Sequence, residues 1–329
     1  MIRLDGMVRM NASKTGPTYV QPATYAPVKP SEKRETAANM KQRTKALCLG
    51  FVALVCLVFG NGVAHADNLY VAVGSTIYKY DANGNGTPYA AGLYGANGLA
   101  FDSSGYLFVS DWRSDTIQKI GPNGVGTTFA SGLADPQGLA FDKSGNLYVA
   151  NDYLNTIIKF GTNGVGTTFA NSGLSDPRAI AFDKNGNLYV ANHAGNTIEK
   201  FGTNGVGTVF ANSGLDGCRG ITFDASGNLY AANEGNSTIE KYGTNGVGSI
   251  FLSSLAGPSG LGFDSSSNLY VITTSLLKYD QGLNQSTFAT GVTGTFLTIQ
   301  PVPEPATWSL LALGAVALLG SLRLRRRSS

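Results

Sequence analysis

Between residues 67 and 300 the apolar positions fall in short runs of four or five, and each run is bounded by Gly, Asn, Asp or Ser. One unit reads Gly138-Leu139-Ala140-Phe141-Asp142, then Asn146-Leu147-Tyr148-Val149-Ala150, then Thr156-Ile157-Ile158-Lys159-Phe160, then Thr167-Thr168-Phe169-Ala170. Runs of this length, rich in β-branched and aromatic residues, predict β-strands. Between them lie Lys143-Ser144-Gly145, Asn151 to Asn155 and Gly161 to Gly166, where Gly and Asn supply the positive φ angles of tight turns. Apolar and polar residues alternate only weakly within a run, which predicts strands covered on both faces.

The unit recurs. The aspartates of the Phe-Asp pairs stand at Asp102, Asp142, Asp183, Asp224 and Asp264, at intervals of 40 or 41 residues. That period suits a four-stranded propeller blade, and the amphipathic helices of a helical solenoid are missing from this stretch. With the strands of a unit called a to d, strand b begins six times, at Asn68, Tyr106, Asn146, Asn187, Asn228 and Asn268. Strand a occurs in register five times, at Gly98, Gly138, Ala179, Gly220 and Gly260. The sixth strand a is expected at Gly294 to Ile299, after Ala289-Thr290-Gly291-Val292. Residues 67–300 are thus expected to be an all-β, six-bladed β-propeller of four-stranded blades, whose ring the C-terminal strand closes against the N-terminal one. Closure hides sheet edges that would otherwise pair with other chains.

Composition agrees with a turn-rich chain: 43 of 329 residues are Gly, well above the usual share of about 7%, and only 14% are charged. The net charge of +3 misleads, because Lys41, Arg43 and Lys45 cluster near one end and Arg323 and Arg325 to Arg327 at the other. The middle is neutral to acidic, which argues against a nucleic-acid partner. Cys48 and Cys56 lie in an apolar stretch expected to be removed, leaving Cys218 without a partner for an intramolecular disulfide.

The ends read as addresses. Met40 to Ala66 has a basic n-region, an apolar run from Cys48 to Gly60 and the small-x-small site Ala64-His65-Ala66, the pattern of a signal peptide for the Sec export machinery. Residues 1–39 are polar and without hydrophobic period, which fits either a disordered leader or a gene-start artefact upstream of Met40. At the other end Pro303-Glu304-Pro305 precedes the charge-free run 306–322, 17 residues at the short limit of a membrane span, and then the arginines. Basic residues on the C-terminal side alone predict that this end stays cytoplasmic and the propeller outside. A permanent membrane anchor is the alternative.

Two resemblances follow from these motifs. The unit Pro-x-Gly-Leu-Ala-Phe-Asp-x-x-Gly-Asn-Leu-Tyr-Val-Ala-Asn, continued by Asn-Thr-Ile-x-Lys-Phe, resembles the NHL repeat over residues 67–300, which implies fold far more than function. The order Pro-Glu-Pro, apolar run, Arg cluster over 301–329 resembles the PEP-CTERM sorting signal. It implies transient anchoring in the inner membrane and processing by an exosortase-like enzyme, with release or transfer to the cell surface. Pro303, Glu304, Pro305, Arg323, Arg325, Arg326 and Arg327 would then be the sorting residues.

Strands alternate in direction, so the b–c and d–a loops share one face and the a–b and c–d turns the other. The second face repeats near-identical Asp-x-x-Gly-Asn and Gly-Thr-Asn-Gly-Val-Gly turns, which suits a structural role. The first varies from blade to blade, and it offers Asp111, Trp112, Arg113, Asp152, Tyr153, Arg178, His193, Arg219 and Glu234 as candidate contacts to an extracellular polysaccharide or an envelope protein. No cofactor is required for that role. In a competing reading, Asp111, Asn151, Asn192, Asn233 and Glu234 ring the channel mouth and hold Ca or Mg for a secreted, lactonase-like hydrolase. His193 lacks the partners of a zinc site or a catalytic triad. Asp81-x-Asn83-x-Asn85-Gly86 imitates a calcium loop but has Gly92 where a bidentate Glu is needed, so a c–d turn is expected.

Overall fold

The computed structural model describes residues 67–300. The expected leader (1–39), signal peptide (40–66) and sorting segment (301–329, with its span at 306–322) lie outside the described residues. Within them, 24 strands form six four-stranded sheets and there is no helix. Blade three shows the plan: Pro136–Phe141, Leu147–Asn151, Thr156–Phe160 and Gly166–Ala170, neighbours in chain order and antiparallel. Its tight turns are built as the residue types require. Asp142 Oδ1 accepts from the backbone N–H groups of Ser144 and Asn146, each at 2.9 Å, and Gly145 takes φ +80°. The imitation calcium loop is a c–d turn of the same make, with Asp81 Oδ1 accepting from the N–H groups of Asn83 and Asn85.

The ring closes as expected, by a C-terminal strand that pairs Asn68 with Gln300 and Val71 with Leu297. The pairing strand is Leu297–Gln300, somewhat later than expected. Before it, the N–H of Ala72 still donates to Phe296 O (3.1 Å). A side chain at Gly294 would meet Val71 Cγ1 at 2.5 Å, so the chain enters the blade over a residue that only Gly can fill.

The core lies between blades, not within one. Six buried clusters each join two neighbouring blades, and the last joins blade six to blade one through Leu69, Val71, Ile272, Leu276 and Leu297. This explains the weak alternation, since both faces of a blade are packed. The tyrosine of Asn-Leu-Tyr carries much of the contact. Tyr148 meets Phe169 of its own blade at 4.9 Å and Phe182 of the next at 5.0 Å, both edge to face. Each such pair contributes about 0.5–1.5 kcal/mol beyond area burial. Around the axis the a strands approach so closely that a Cβ at Gly138 would stand 2.6 Å from Arg178 O.

Strand direction gives each face its contents. The a–b and c–d turns share one face, and both Asp67 and Gln300 lie there; Asp67 Oδ2 accepts the Ser265 N–H at 2.6 Å. The b–c and d–a loops form the other face.

A candidate binding cleft on the variable loop face

The last residue of strand b in blades two to five is Asp111, Asn151, Asn192 or Asn233, and all four are buried. Each latches the d–a loop leading into its own blade. Asp111 accepts from the N–H groups of Tyr94 (2.9 Å) and Gly95 (2.6 Å). Asn151 accepts from Ala134 N–H at 2.7 Å. Asn192 accepts from Ser175 N–H (3.2 Å) and donates to Gly173 O (2.8 Å) and Thr197 Oγ1 (3.0 Å). Asn233 donates likewise to Gly214 O and Thr238 Oγ1. Buried polar groups need such partners, and here they are backbone groups of the d–a loop and, for the asparagines, a threonine hydroxyl as well.

These contacts compete with the expected metal ring for the same oxygens. The oxygens of Asp111, Asn151 and Asn192 point at N–H donors, and Glu234 Oε2 lies 2.6 Å from Arg219 Nε. Among the described residues no group of three or more His, Cys, Asp and Glu could hold a metal ion. In this arrangement the ring would offer Ca or Mg only two carboxylates, Asp111 and Glu234, both already engaged. Asp111 is likewise withdrawn from the surface, while Tyr153 stands 79% exposed outside the cleft.

Other candidates converge. Near the axis the loops enclose a cleft of about 670 Å³, lined by Trp112, Arg113, Asp135, Gln137, Arg178 and Arg219 among others. The Arg113 guanidinium lies over the Trp112 ring at 4.8 Å. Asn97 Nδ2 donates to Gln137 Oε1, and Asn97 Oδ1 accepts from Thr295 Oγ1 (2.7 Å), which links the closing segment to the cleft floor. Arg219 Nε, although close to Glu234, aims its N–H at no acceptor. Loop residues lace the rim: Asp135 N–H donates to Asp115 Oδ1 and Asp176 N–H to Asn155 Oδ1. Asp135 and Asp176 both take φ +54°, where blade five uses Gly217.

Behind the cleft wall, Arg178 grips Asp176 with Nε (2.9 Å) and a terminal nitrogen (3.2 Å), and the latter is 3.8 Å from Asp152 Oδ2. His193 Nδ1 is 3.0 Å from Asp176 Oδ2. Sequence reasoning points to the loops Asp135-Pro136-Gln137 and Asp176-Pro177-Arg178 and selects Arg178 from them, with Asp152 and His193, but gives no sign of Asn97.

The carboxyls of Asp152 and Asp176 act on each other, and their affinities for a proton move in opposite directions. Burial, then the hydrogen bond to Asp176 and its charge, push Asp152 up to about 8. Burial would also raise Asp176, but the hydrogen bond from Asp152, with Arg178 and His193, outweighs it and holds Asp176 at about 2. Asp152 therefore binds a proton in the folded chain that the unfolded chain releases between pH 3.8 and about 8, so its contribution to stability falls as pH rises through that window. Asp152→Asn keeps the donor without the titration. We expect urea midpoints of the wild type to fall from pH 5 to pH 8 and those of Asp152→Asn to fall less; an unchanged difference refutes the raised affinity of Asp152 for its proton.

These features define the chain as a six-bladed β-propeller that carries a sorting signal. Residues 301–327 match the PEP-CTERM protein-sorting motif, which marks the chain for export, membrane anchoring and processing by an exosortase-like enzyme. No curated protein sequence matches the chain. Solved structures share the fold. A chain of a nidogen/laminin complex is 23% identical with TM-score 0.66, covering 71% of this chain and 98% of that one. A gluconolactonase from Xanthomonas campestris is 15% identical with TM-score 0.59, covering 73% and 94%. An inactive virginiamycin B lyase from Staphylococcus aureus, solved with quinupristin, is 15% identical with TM-score 0.57, covering 72% and 93%.

Proposed function

We propose that this is an exported binding protein of the cell surface or extracellular matrix, an NHL-type propeller whose cleft takes a polysaccharide. Its Sec signal peptide at 40–66 is removed, the span 306–322 anchors it in the inner membrane for a time, and the exosortase-like enzyme acts near Pro303-Glu304-Pro305. The observation that carries the ligand class is the cleft's mixture of groups. The carboxylate acceptor Asp135 stands beside guanidinium donors (Arg113, Arg178, Arg219) and the indole of Trp112, over a floor in which Asn97 and Gln137 bond to each other. Vicinal hydroxyls of a sugar need donors and acceptors together, and the C–H face of its ring needs an aromatic plane. A flat envelope-protein surface would use Tyr153, exposed outside the cleft, in preference to the cleft.

Trp112 is 39% exposed and its ring packs on Arg113 and Gly95, so Trp112→Ala is expected to lower the unfolding midpoint somewhat while leaving the chain folded, and to weaken binding to the exported polysaccharide about tenfold, a loss of about 1.4 kcal/mol. Calorimetric titration of the matrix polysaccharide into both chains checks this, and equal affinities sink the cleft as the site. The competing hydrolase reading is supported by the shared fold of the gluconolactonases. In its metal-dependent form it lacks a fitting donor set among the described residues.

A further inference from the structure

The face opposite the cleft has a feature that chain reversal does not require. The c–d turns of blades two to five hold Val125, Val165, Val206 and Val247 at 62–67% exposure, and blade six places Leu283 in the corresponding turn. The turns themselves are fixed. Gly164, at φ +75°, sits under the Phe129 carbonyl of the preceding blade, where a Cβ would approach to 2.9 Å. Single exposed apolar residues are ordinary, but here five are held outward around one rim.

The same face is where the chain leaves the propeller. The closing strand runs toward it and ends at Gln300, and the charge-free run begins at Ala306. Six residues reach at most about 20 Å, at about 3.3–3.6 Å each. Charge separates the two faces as well. The turn face carries eight aspartates and eight lysines, several of them paired, as Lys159 with Asp142 (3.9 Å) and Lys278 with Asp264 (3.9 Å). The cleft side carries nine carboxylates against three arginines. An anionic bilayer surface repels the second face and not the first.

We propose that, before processing, the turn face lies on the lipid bilayer with Val125, Val165, Val206, Val247 and Leu283 seated at the headgroup boundary and the cleft directed away from the membrane. The proposal rests on the reading of 306–322 as the membrane anchor. A short tether makes the contact intramolecular, with an effective concentration on the order of mM, so contacts too weak to bind a free propeller suffice. Pro303-Glu304-Pro305 then lie between the propeller and the bilayer.

The test uses the chain as it stands after signal-peptide removal, residues 67–329, reconstituted in phosphatidylethanolamine–phosphatidylglycerol vesicles. An environment-sensitive fluorophore is placed at Val165→Cys or Val247→Cys, or at Tyr153→Cys on the opposite face; Cys218 is buried and stays unlabelled. On transfer from detergent to vesicles, emission at 165 and 247 should shift to the blue and lose quenching by aqueous iodide, while 153 should not change. Val125→Asp with Val206→Asp should restore quenching at 247 without loss of flotation. Equal iodide access at all three sites in a chain that floats with the vesicles overturns the docking and leaves the anchor standing. A chain that does not float, or that floats equally without residues 306–329, overturns both. Protection already present in detergent and growing with protein concentration identifies a second copy as the cover and overturns the bilayer.

Discussion

Deleting residues 293–300 from the full chain will open the ring, and we expect the loss of about 5 kcal/mol or more, enough to leave little cooperative unfolding in a domain whose total stability is on the order of 5–15 kcal/mol. The closing strand supplies the register Asn68–Gln300 to Val71–Leu297 and covers one whole side of the blade-six interface. Without it Val71, Ile272 and Leu276, all fully buried, lose their cover, and blade one keeps an unpaired edge. The graded form is Leu297→Ala, a buried truncation expected to cost about 2–5 kcal/mol. Urea unfolding followed by fluorescence decides it: the deletion should flatten the transition, Leu297→Ala should move the midpoint with the slope unchanged, and a deleted chain with the wild-type midpoint would show that closure is dispensable.

Asn192→Ala is expected to lower the melting temperature by about 4–8 °C, and by the same amount with calcium, with magnesium and with chelator. The side chain joins Gly173 O, the Ser175 N–H and Thr197 Oγ1, so its removal strands backbone groups that only water can reach. Part of that loop is exposed, which limits the cost to about 2 kcal/mol, and in a domain of this size that corresponds to the stated shift. A ligand that binds only the folded ring raises its melting temperature by mass action. A metal-dependent rise in the wild type that vanishes in Asn192→Ala would therefore restore the metal ring and the hydrolase reading with it. The latch predicts parallel curves.

The second expectation turns on residues whose place in the chain is plain and whose role is not. Asn151, Asn192 and Asn233 recur at one position of the repeat, and recurrence alone suits a latch and a ligand ring equally well. The choice depends on where each Oδ1 points, which is set by d–a loops some 17 residues upstream. The role of Asp176 is hidden for a similar reason: the sequence places it on a variable d–a loop, and only the fold sets it beside Arg178 and His193. The valines of Gly-Val-Gly looked like filler in a structural turn, and the strand directions put them on the face from which the chain departs.

The sequence alone determined the period, the strand order, the six blades and the closing partner, because each blade is built from contacts within about 40 residues and its turns need Gly, Asn and Asp at set places. It also determined the sorting tail, since that signal is read as a linear pattern. The tertiary structure decided which side chains meet. A cleft assembled from blades one to five brings together Asn97, Trp112, Gln137, Arg178, Arg219 and Thr295, residues separated by tens of positions along the chain. Local pattern carries no information on such meetings, because they depend on how the ring closes and on which polar groups the backbone has already claimed.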